Sequence, residues 1–407
     1  MNNLTTKNAT QATSALQIRA SRIFILLSML IISQSIAATD GTTPKFLYKF
    51  DNLTYFDNRA FSSPYNPTKT FFGDRLTALP GFGIKDKFEL YAGLTAMMPF
   101  GTDYNDYKYQ PMAYFKYQQG FNTGRDKPFE DKINLYFGIL PYREIKMALP
   151  AFIRKGSTEY SMPNLQGALA QYELNIYNTK KKLLLEYVVD WRKIKTATER
   201  DWFGMILSGK YAVYSNHFDY ENFLSEKEGY ADFGFIVQWD RLGDNLEDIK
   251  NNCDKIVMNV FAKIDFAQLY WKNENADNRS LNKDFNIKTL FLQAGYLGSF
   301  NNDNIAINNY WCHSIVVDCG IQWKIIALKN SFYVSLKKDG NLMPLYKDYP
   351  TMFIGDQYYQ ASLYNKTELC FDLIKSSFFS LKAQFLTHYV PDYKVGWQQK
   401  ITASVKF

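Results

Sequence analysis

The chain ends in KVGWQQKITASVKF, Lys394 to Phe407. Counting back in twos gives Phe407, Val405, Ala403, Ile401, Gln399, Trp397 and Val395, apolar except for one Gln. Between them stand Lys406, Ser404, Thr402, Lys400, Gln398, Gly396 and Lys394, small or polar without exception. A period of two marks a β-strand with two chemically different sides. About 10 alternating residues are enough to cross a bilayer at a tilt. An edge strand of a soluble sandwich alternates in the same way, so the rest of the chain decides.

Working outward, the pattern recurs. Phe88, Leu90, Ala92, Leu94, Ala96 and Met98 alternate with Glu89, Tyr91, Gly93 and Thr95. Leu183, Leu185, Tyr187, Val189 and Trp191 alternate with Leu184, Glu186, Val188, Asp190 and Arg192. Ile315, Val317, Cys319, Ile321 and Trp323 alternate with Ser314, Val316, Asp318, Gly320 and Gln322. Similar runs centre on Phe137, Phe235 and Phe385. Trp191, Trp239 and Tyr389 close their apolar faces, as expected where a strand meets the lipid headgroups. Many runs reach about 10 to 14 residues, whereas soluble strands cluster near 5 or 6. About 16 such segments, with a range of 14–18, run from 68–80 to 394–407 and include one at 356–364; single-chain barrels have an even number. The expected fold is all-β, a transmembrane antiparallel up-and-down β-barrel. Stretches 141–163, 217–229, 240–254 and 340–355, rich in Gly, Pro, Asn and charge, are expected as loops. With both termini on one side, long loops would then leave both ends of the barrel. The sequence shows no fixed-period repeat, low-complexity linker or second domain.

Residues 1–37 hold Lys7, Arg19 and Arg22, no acid, an apolar run Ile23–Ile32 and a closing Ser35-Ile36-Ala37. That is the layout of a cleaved signal peptide; the apolar run falls short of the about 20 residues a membrane helix needs. Pro44, Pro64 and Pro67 cannot donate to a central ladder. Residues 38–67 are therefore expected as a periplasmic lead-in, with one short strand at Phe46–Tyr55, and 68–407 as the barrel. Aromatics make up 17 % of the chain, with 30 Tyr and 32 Phe, against 46 % hydrophobic residues and a mean hydropathy of −0.31. Interface girdles use aromatics in this way. The net charge of +7 falls further once the basic leader is removed, and no basic cluster with interleaved aromatics suggests nucleic acid. Cys253, Cys312, Cys319 and Cys370 lack CxxC spacing. Cys312 and Cys319, an odd number of residues apart, should face opposite sides of one strand.

Taken together, the leader ending at Ala37, the alternating strands and the terminal Ser404-Val405-Lys406-Phe407 resemble a Gram-negative outer-membrane β-barrel protein of porin-like size. More loosely, Phe71-Phe72-Gly73-Asp74-Arg75-Leu76, Leu90-Tyr91-Ala92-Gly93-Leu94 and Phe137-Gly138-Ile139-Leu140-Pro141-Tyr142-Arg143 resemble uncharacterised barrel-like proteins of the Bacteroides group. The resemblance implies export to the cell outer membrane and contact with its lipid. It also implies insertion by the barrel-assembly machinery, with Trp397, Ile401, Val405 and Phe407 as the assembly signal, and passage of small hydrophilic solutes. It carries over no catalytic residue and no cofactor.

An outer-membrane hydrolase is the rival from another class. A phospholipase needs Ser and His on one lipid-facing side, but adjacent His313 and Ser314 face opposite sides. Omptin-type proteases need paired acids and an Asp–His couple; His217-Phe218-Asp219 is the only local pairing, and His388 falls on a polar face. No metal-ligand cluster or phosphate cradle is visible. A pore needs only charges at a constriction. The candidates are Glu186, Asp190, Arg192, Asp318, Lys324, Lys382 and Lys400, joined by Arg143, Lys146 and Arg154 if 141–163 folds inward. Their mixed signs suggest no strong single-ion preference. The expected function is a porin-like channel, monomeric or a homotrimer. The alternatives are a plugged barrel with a binding or scaffold role, and the hydrolase.

Overall fold

A computed structural model describes residues 44–66, 68–85, 87–101, 106–121, 131–176, 181–193, 201–213, 230–242, 253–267, 287–303, 308–338, 341–342, 345, 355–391 and 393–407. The expected signal peptide and His217 lie outside them. In order, the strands are β1 (Lys45–Ala60), β2 (Lys69–Ile84), β3 (Phe88–Pro99), β4 (Lys108–Phe121), β5 (Asp131–Pro141), β6 (Asn164–Ile176), β7 (Lys181–Lys193), β8 (Trp202–Val213) and β9 (Ala231–Leu242). They continue as β10 (Cys253–Asp265), β11 (Ile287–Asp303), β12 (Asn308–Trp323), β13 (Ile326–Ser335), β14 (Lys337–Lys338), β15 (Asn341–Leu342), β16 (Leu363–Lys375), β17 (Phe379–Tyr389) and β18 (Gly396–Lys406). β14 and β15 form a small ladder of their own, and the other 16 strands make one closed barrel. Each strand is antiparallel to the next; β13 passes directly to β16, and β18 returns to β1.

The strand number agrees with the sequence, but through two compensating differences. The expected lead-in is instead part of the wall: β1 pairs with β2 from Lys45 to Arg59 and with β18 from Asp51 to Ala60. Pro44, Pro64 and Pro67 flank this strand without interrupting it, so the barrel starts at Lys45 and not at residue 68. Conversely, the segment expected as a strand at 356–364 opens with a 3-10 turn, Gln357–Gln360. The Asp356 side chain accepts a hydrogen bond from the Tyr358 backbone N–H at 3.2 Å, and adjacent Tyr358 and Tyr359 are both buried. Neighbours on one side of the chain cannot belong to an alternating strand.

The face assignments agree with the sequence. On β7, Tyr187 and Trp191 are exposed on the outside, while Leu184, Glu186, Val188 and Asp190 are buried inside. On β12, Cys319 faces out and Cys312 in. At the end of the barrel where β1 begins and β18 ends, called the termini end, Phe46, Tyr48, Trp323 and Phe407 are exposed. At the far end the exposed aromatics include Tyr109, Trp191, Trp311, Tyr389 and Trp397. These are two girdles around an apolar band. The band is interrupted where Asp74 accepts hydrogen bonds from Asn52 and Thr54, both at 2.8 Å, on the outer face of β1 and β2. Long connections leave both ends: 142–163 and 336–362 at the far end, 214–230 and 266–286 at the termini end.

The interior departs from the expectation of a uniformly wet lumen. A buried cluster runs from Leu79, Tyr91 and Tyr136 through Ile145, Met147, Phe152 and Ile153 to Val316, Tyr333 and Tyr364. The residues in the middle of that list belong to the connection 142–163, which lies inside the barrel.

Closure can be tested directly. Thr54 and Ala403 are outward-facing Cα partners across β1 and β18, close enough in an antiparallel ladder for a disulfide. Oxidation of a Thr54→Cys, Ala403→Cys variant should give a covalently closed species of altered electrophoretic mobility. Failure to cross-link in the folded protein would place β1 elsewhere.

Candidate functional site: the inward-folded segment

The connection between β5 and β6 leaves at Pro141 and re-enters at Asn164, which are Cα partners. At its base, Gly138 and Gly167 face each other with φ of 128° and 156°. A Cβ at Gly138 would lie 2.2 Å from the Ala113 carbonyl oxygen, and one at Gly167 would lie 2.1 Å from that of Val189. Only glycine allows the neighbouring strands this approach.

Two features of the sequence turn the segment inward. Its apolar residues Ile145, Met147, Phe152 and Ile153 are all buried. Between them, charged residues meet opposite charges on the wall. Arg143 pairs with Asp51 at 3.0 Å and Glu144 with Lys49 at 2.8 Å, both on β1. Lys146 pairs with Glu173 of β6 at 2.8 Å. Glu186 of β7 accepts the backbone N–H groups of Lys146 and Met147 at 2.8 and 2.7 Å, and the side-chain amide of Gln171 at 2.6 Å. Its carboxylate is thus fully engaged in holding the segment.

The segment's two ends are held by a second network. Tyr142 donates to Asp190 of β7. Asp190 pairs with Arg192 Nε at 2.8 Å, and Arg192 Nη1 reaches Asp240 of β9 at 3.1 Å. The Arg154 guanidinium lies 3.7 Å from the centre of the Tyr142 ring and donates to the Met162 carbonyl at 2.5 Å. Burial raises the Tyr142 hydroxyl pKa, with Asp190 adding to the effect. Burial also lowers Arg154 and Lys155 from their usual basic range. Near the re-entry, Tyr160 stacks on Tyr55 of β1 with centroids 4.1 Å apart, and Lys400 of β18 sits 5.4 Å over the Tyr160 ring. The tip reaches the connection between β13 and β16: the Asp356 N–H donates to the Ala151 carbonyl at 2.7 Å, and Phe152 meets the Tyr359 ring edge-on at 5.6 Å.

The residues expected to line a pore therefore separate. Glu186, Asp190 and Arg192 do face inward but are buried beneath the segment as its anchors. Arg143, Lys146 and Arg154 lie on the segment itself. Asp318, half-buried, accepts from Gln293 at 3.2 Å. Lys382 pairs with Asp372 at 3.5 Å with its head group partly in water. Lys324 is on no inner face: it occupies the turn between β12 and β13 with a φ of 49° and lies over the Trp323 ring. Asp51, Lys49, Arg75, Glu173 and Asp240 belong to these networks without any local signal in the sequence. Asp51 and Lys49 fell in the stretch taken for a lead-in, and the other three became significant only through partners remote in sequence. The described histidines are held by other groups. His313 faces outward, 2.5 Å from the Tyr296 hydroxyl, while buried His388 lies between the Tyr364 hydroxyl at 2.8 Å and Gln398 at 3.1 Å.

Among solved structures, the chain is similar to outer-membrane-expressed OmpT of Vibrio cholerae, with a TM-score of 0.46 and 8 % identity over 91 % of this chain and 99 % of that one. It is also similar to the outer membrane channel DcaP of Acinetobacter baumannii, with a TM-score of 0.43 and 12 % identity over 91 % and 99 %. A third is OccK2 of Pseudomonas aeruginosa, with a TM-score of 0.44 and 9 % identity over 89 % and 98 %. No protein-family model and no curated protein matches the sequence.

Glu186→Ala leaves the buried Met147 N–H without an acceptor, at about 1–3 kcal/mol, and removes the part-buried bond to Lys146. The barrel should still form, but trypsin should now cut after Arg143 and Lys146 under conditions in which the parent protein resists. Equal resistance of the two would show that Glu186 does not hold the segment.

Proposed function

We propose that the protein is an outer-membrane channel that passes small hydrophilic solutes by diffusion past the inward-folded segment. The observation that carries this is how the segment divides the interior. Between it and the β1, β2 and β18 wall lies a cavity of about 300 Å³. On its other side, against β8 to β12, lies one of about 260 Å³ lined by Lys210, Asp232, Asn259, Gln293 and Asp318. Polar lumen walls on both sides of a narrowing are what a diffusion channel requires, since charges at a constriction govern passage. The expected leader and the apolar outer band support an outer-membrane location with the termini end facing the periplasm. Insertion by the barrel-assembly machinery and a monomeric or trimeric state belong to the same proposal.

A plugged barrel with a binding role is the second candidate. It is favoured by the contacts of Ala151 and Phe152 with the connection between β13 and β16 and by the buried cluster that crosses the lumen.

Planar-bilayer recording on refolded protein separates the two. A channel gives stepwise conductance in the parent, and Glu186→Ala raises the step size or makes it fluctuate. A plugged barrel is silent in the parent and conducts only in the variant. Silence of both, with the fold confirmed by a heat-modifiable band, would exclude a pore.

A further inference from the structure

The charges inside the barrel are unevenly placed. Among the described residues nine carboxylates are buried, from Asp51 to Asp265, against three lysines or arginines, Arg75, Lys255 and Lys263. Carboxylates are short and end close to the wall, where hydrogen-bond donors cover them. Lysine and arginine carry their charge on long stems that can reach water.

The balance is reversed in the cavity between the segment and β1, β2 and β18. Its lining includes five cations, Arg75, Arg143, Arg154, Lys155 and Lys406, and two carboxylates. One of these, Asp51, is 2 % exposed and already pairs with Arg75 at 2.6 Å and Arg143 at 3.0 Å. The other, Glu159, comes no nearer than 3.9 Å to Arg75. The Nε–H groups of Arg75 and Arg154 are buried without a hydrogen-bond partner among the described residues. Thr77, Thr158 and Asn164 add neutral hydrogen-bonding groups to the lining. Further round the wall, Lys329, Lys366 and Lys400 have no ion-pair partner among the described residues, while the inward acids there are Asp57, which lies opposite Lys400 but pairs with Arg59 at 2.6 Å, and Asp318, Glu368 and Asp372. Of these, Asp318 and Glu368 accept side-chain amides, at 3.2 and 2.6 Å, and Asp372 faces Lys382.

We infer that this cavity is an anion site, and that the solutes favoured by the channel carry a carboxylate, phosphate or sulfate group. Fixed cations at a narrowing concentrate anions and repel cations. Guanidinium groups present a planar fork of donors suited to an oxyanion. The volume of about 300 Å³ limits the guest to a small molecule. The mixed-sign set visible in the sequence gave no such preference, because it counted Glu186 and Asp190 as lining residues and omitted Arg75 and Lys406.

The inference rests on the channel proposed above, so the experiment keeps the two apart. Reversal potentials are measured in a potassium chloride gradient across a planar bilayer, with inorganic phosphate then added as the probe. Chloride should be more permeant than potassium, and phosphate should reduce the chloride current. Lys155→Glu and Lys406→Glu should each lower the chloride-to-potassium permeability ratio by more than about tenfold, since one charge a few ångströms from an ion in water is worth roughly fivefold and each reversal changes two. Lys324→Glu, in the turn outside the lumen, should leave the ratio unchanged. Lys155→Gln and Lys406→Gln serve if a reversal prevents folding. An unselective or cation-selective conductance would overturn the anion site and leave the channel standing. Anion preference unchanged by any of these variants would remove the site from this cavity. Absence of conductance from folded protein would overturn the channel and the anion site together.

Discussion

Everything in this structure depends on the ladder between β1 and β18. In hydrocarbon each unpaired backbone N–H or C=O costs several kcal/mol, so a sheet can cross a membrane only if it has no edges. The register from Asp51↔Lys406 to Ala60↔Trp397 removes the last two edges. The terminal Phe407 extends it, exchanging backbone hydrogen bonds with Phe50 at 3.1 and 3.0 Å. Closure fixes which side chains meet lipid and which are enclosed, and the enclosed ones become the only surface on which an inserted segment can be held.

The division of labour between wall and segment follows from that enclosure. The wall supplies mostly carboxylates: Asp51, Glu173, Glu186 and Asp190. The segment supplies donors: Arg143, Lys146, Tyr142 and two backbone N–H groups. A buried carboxylate is tolerated only when donors saturate it, so each acid specifies where a portion of the segment must lie. The apolar residues Ile145, Met147 and Phe152 then fill the space between these points.

Much of the wall was legible in the sequence because the signal is local. Alternation on β7, β12 and β18 named both faces correctly, since a period of two needs no knowledge of what each face touches. β1 is legible only as a short strand, Phe46–Tyr55, and not as part of the barrel, because Pro44, Pro64 and Pro67 look like interruptions although they stand outside it. The segment 356–364 counts among the alternating stretches, while the Asp356 cap that bends it is a hydrogen bond invisible to periodicity. The inward segment was legible only as a condition. Its partners lie far away in the chain, Lys49 for Glu144 and Asp356 for Ala151, and no local pattern predicts such a pairing. The same distance explains why Glu186 could be placed on the inner face yet not recognised as an anchor.

The central claim is that lipid and water meet alternate side chains of a single closed sheet. A nitroxide scan along β18 from Trp397 to Val405 in reconstituted protein tests it most directly, by comparing collisions with apolar oxygen and with a water-soluble nickel chelate. Labels at Trp397, Gln399, Ile401, Ala403 and Val405 should respond to oxygen, and those at Gln398, Lys400, Thr402 and Ser404 to the chelate. A profile without that period of two, or an inner face reached by neither reagent, would contradict it.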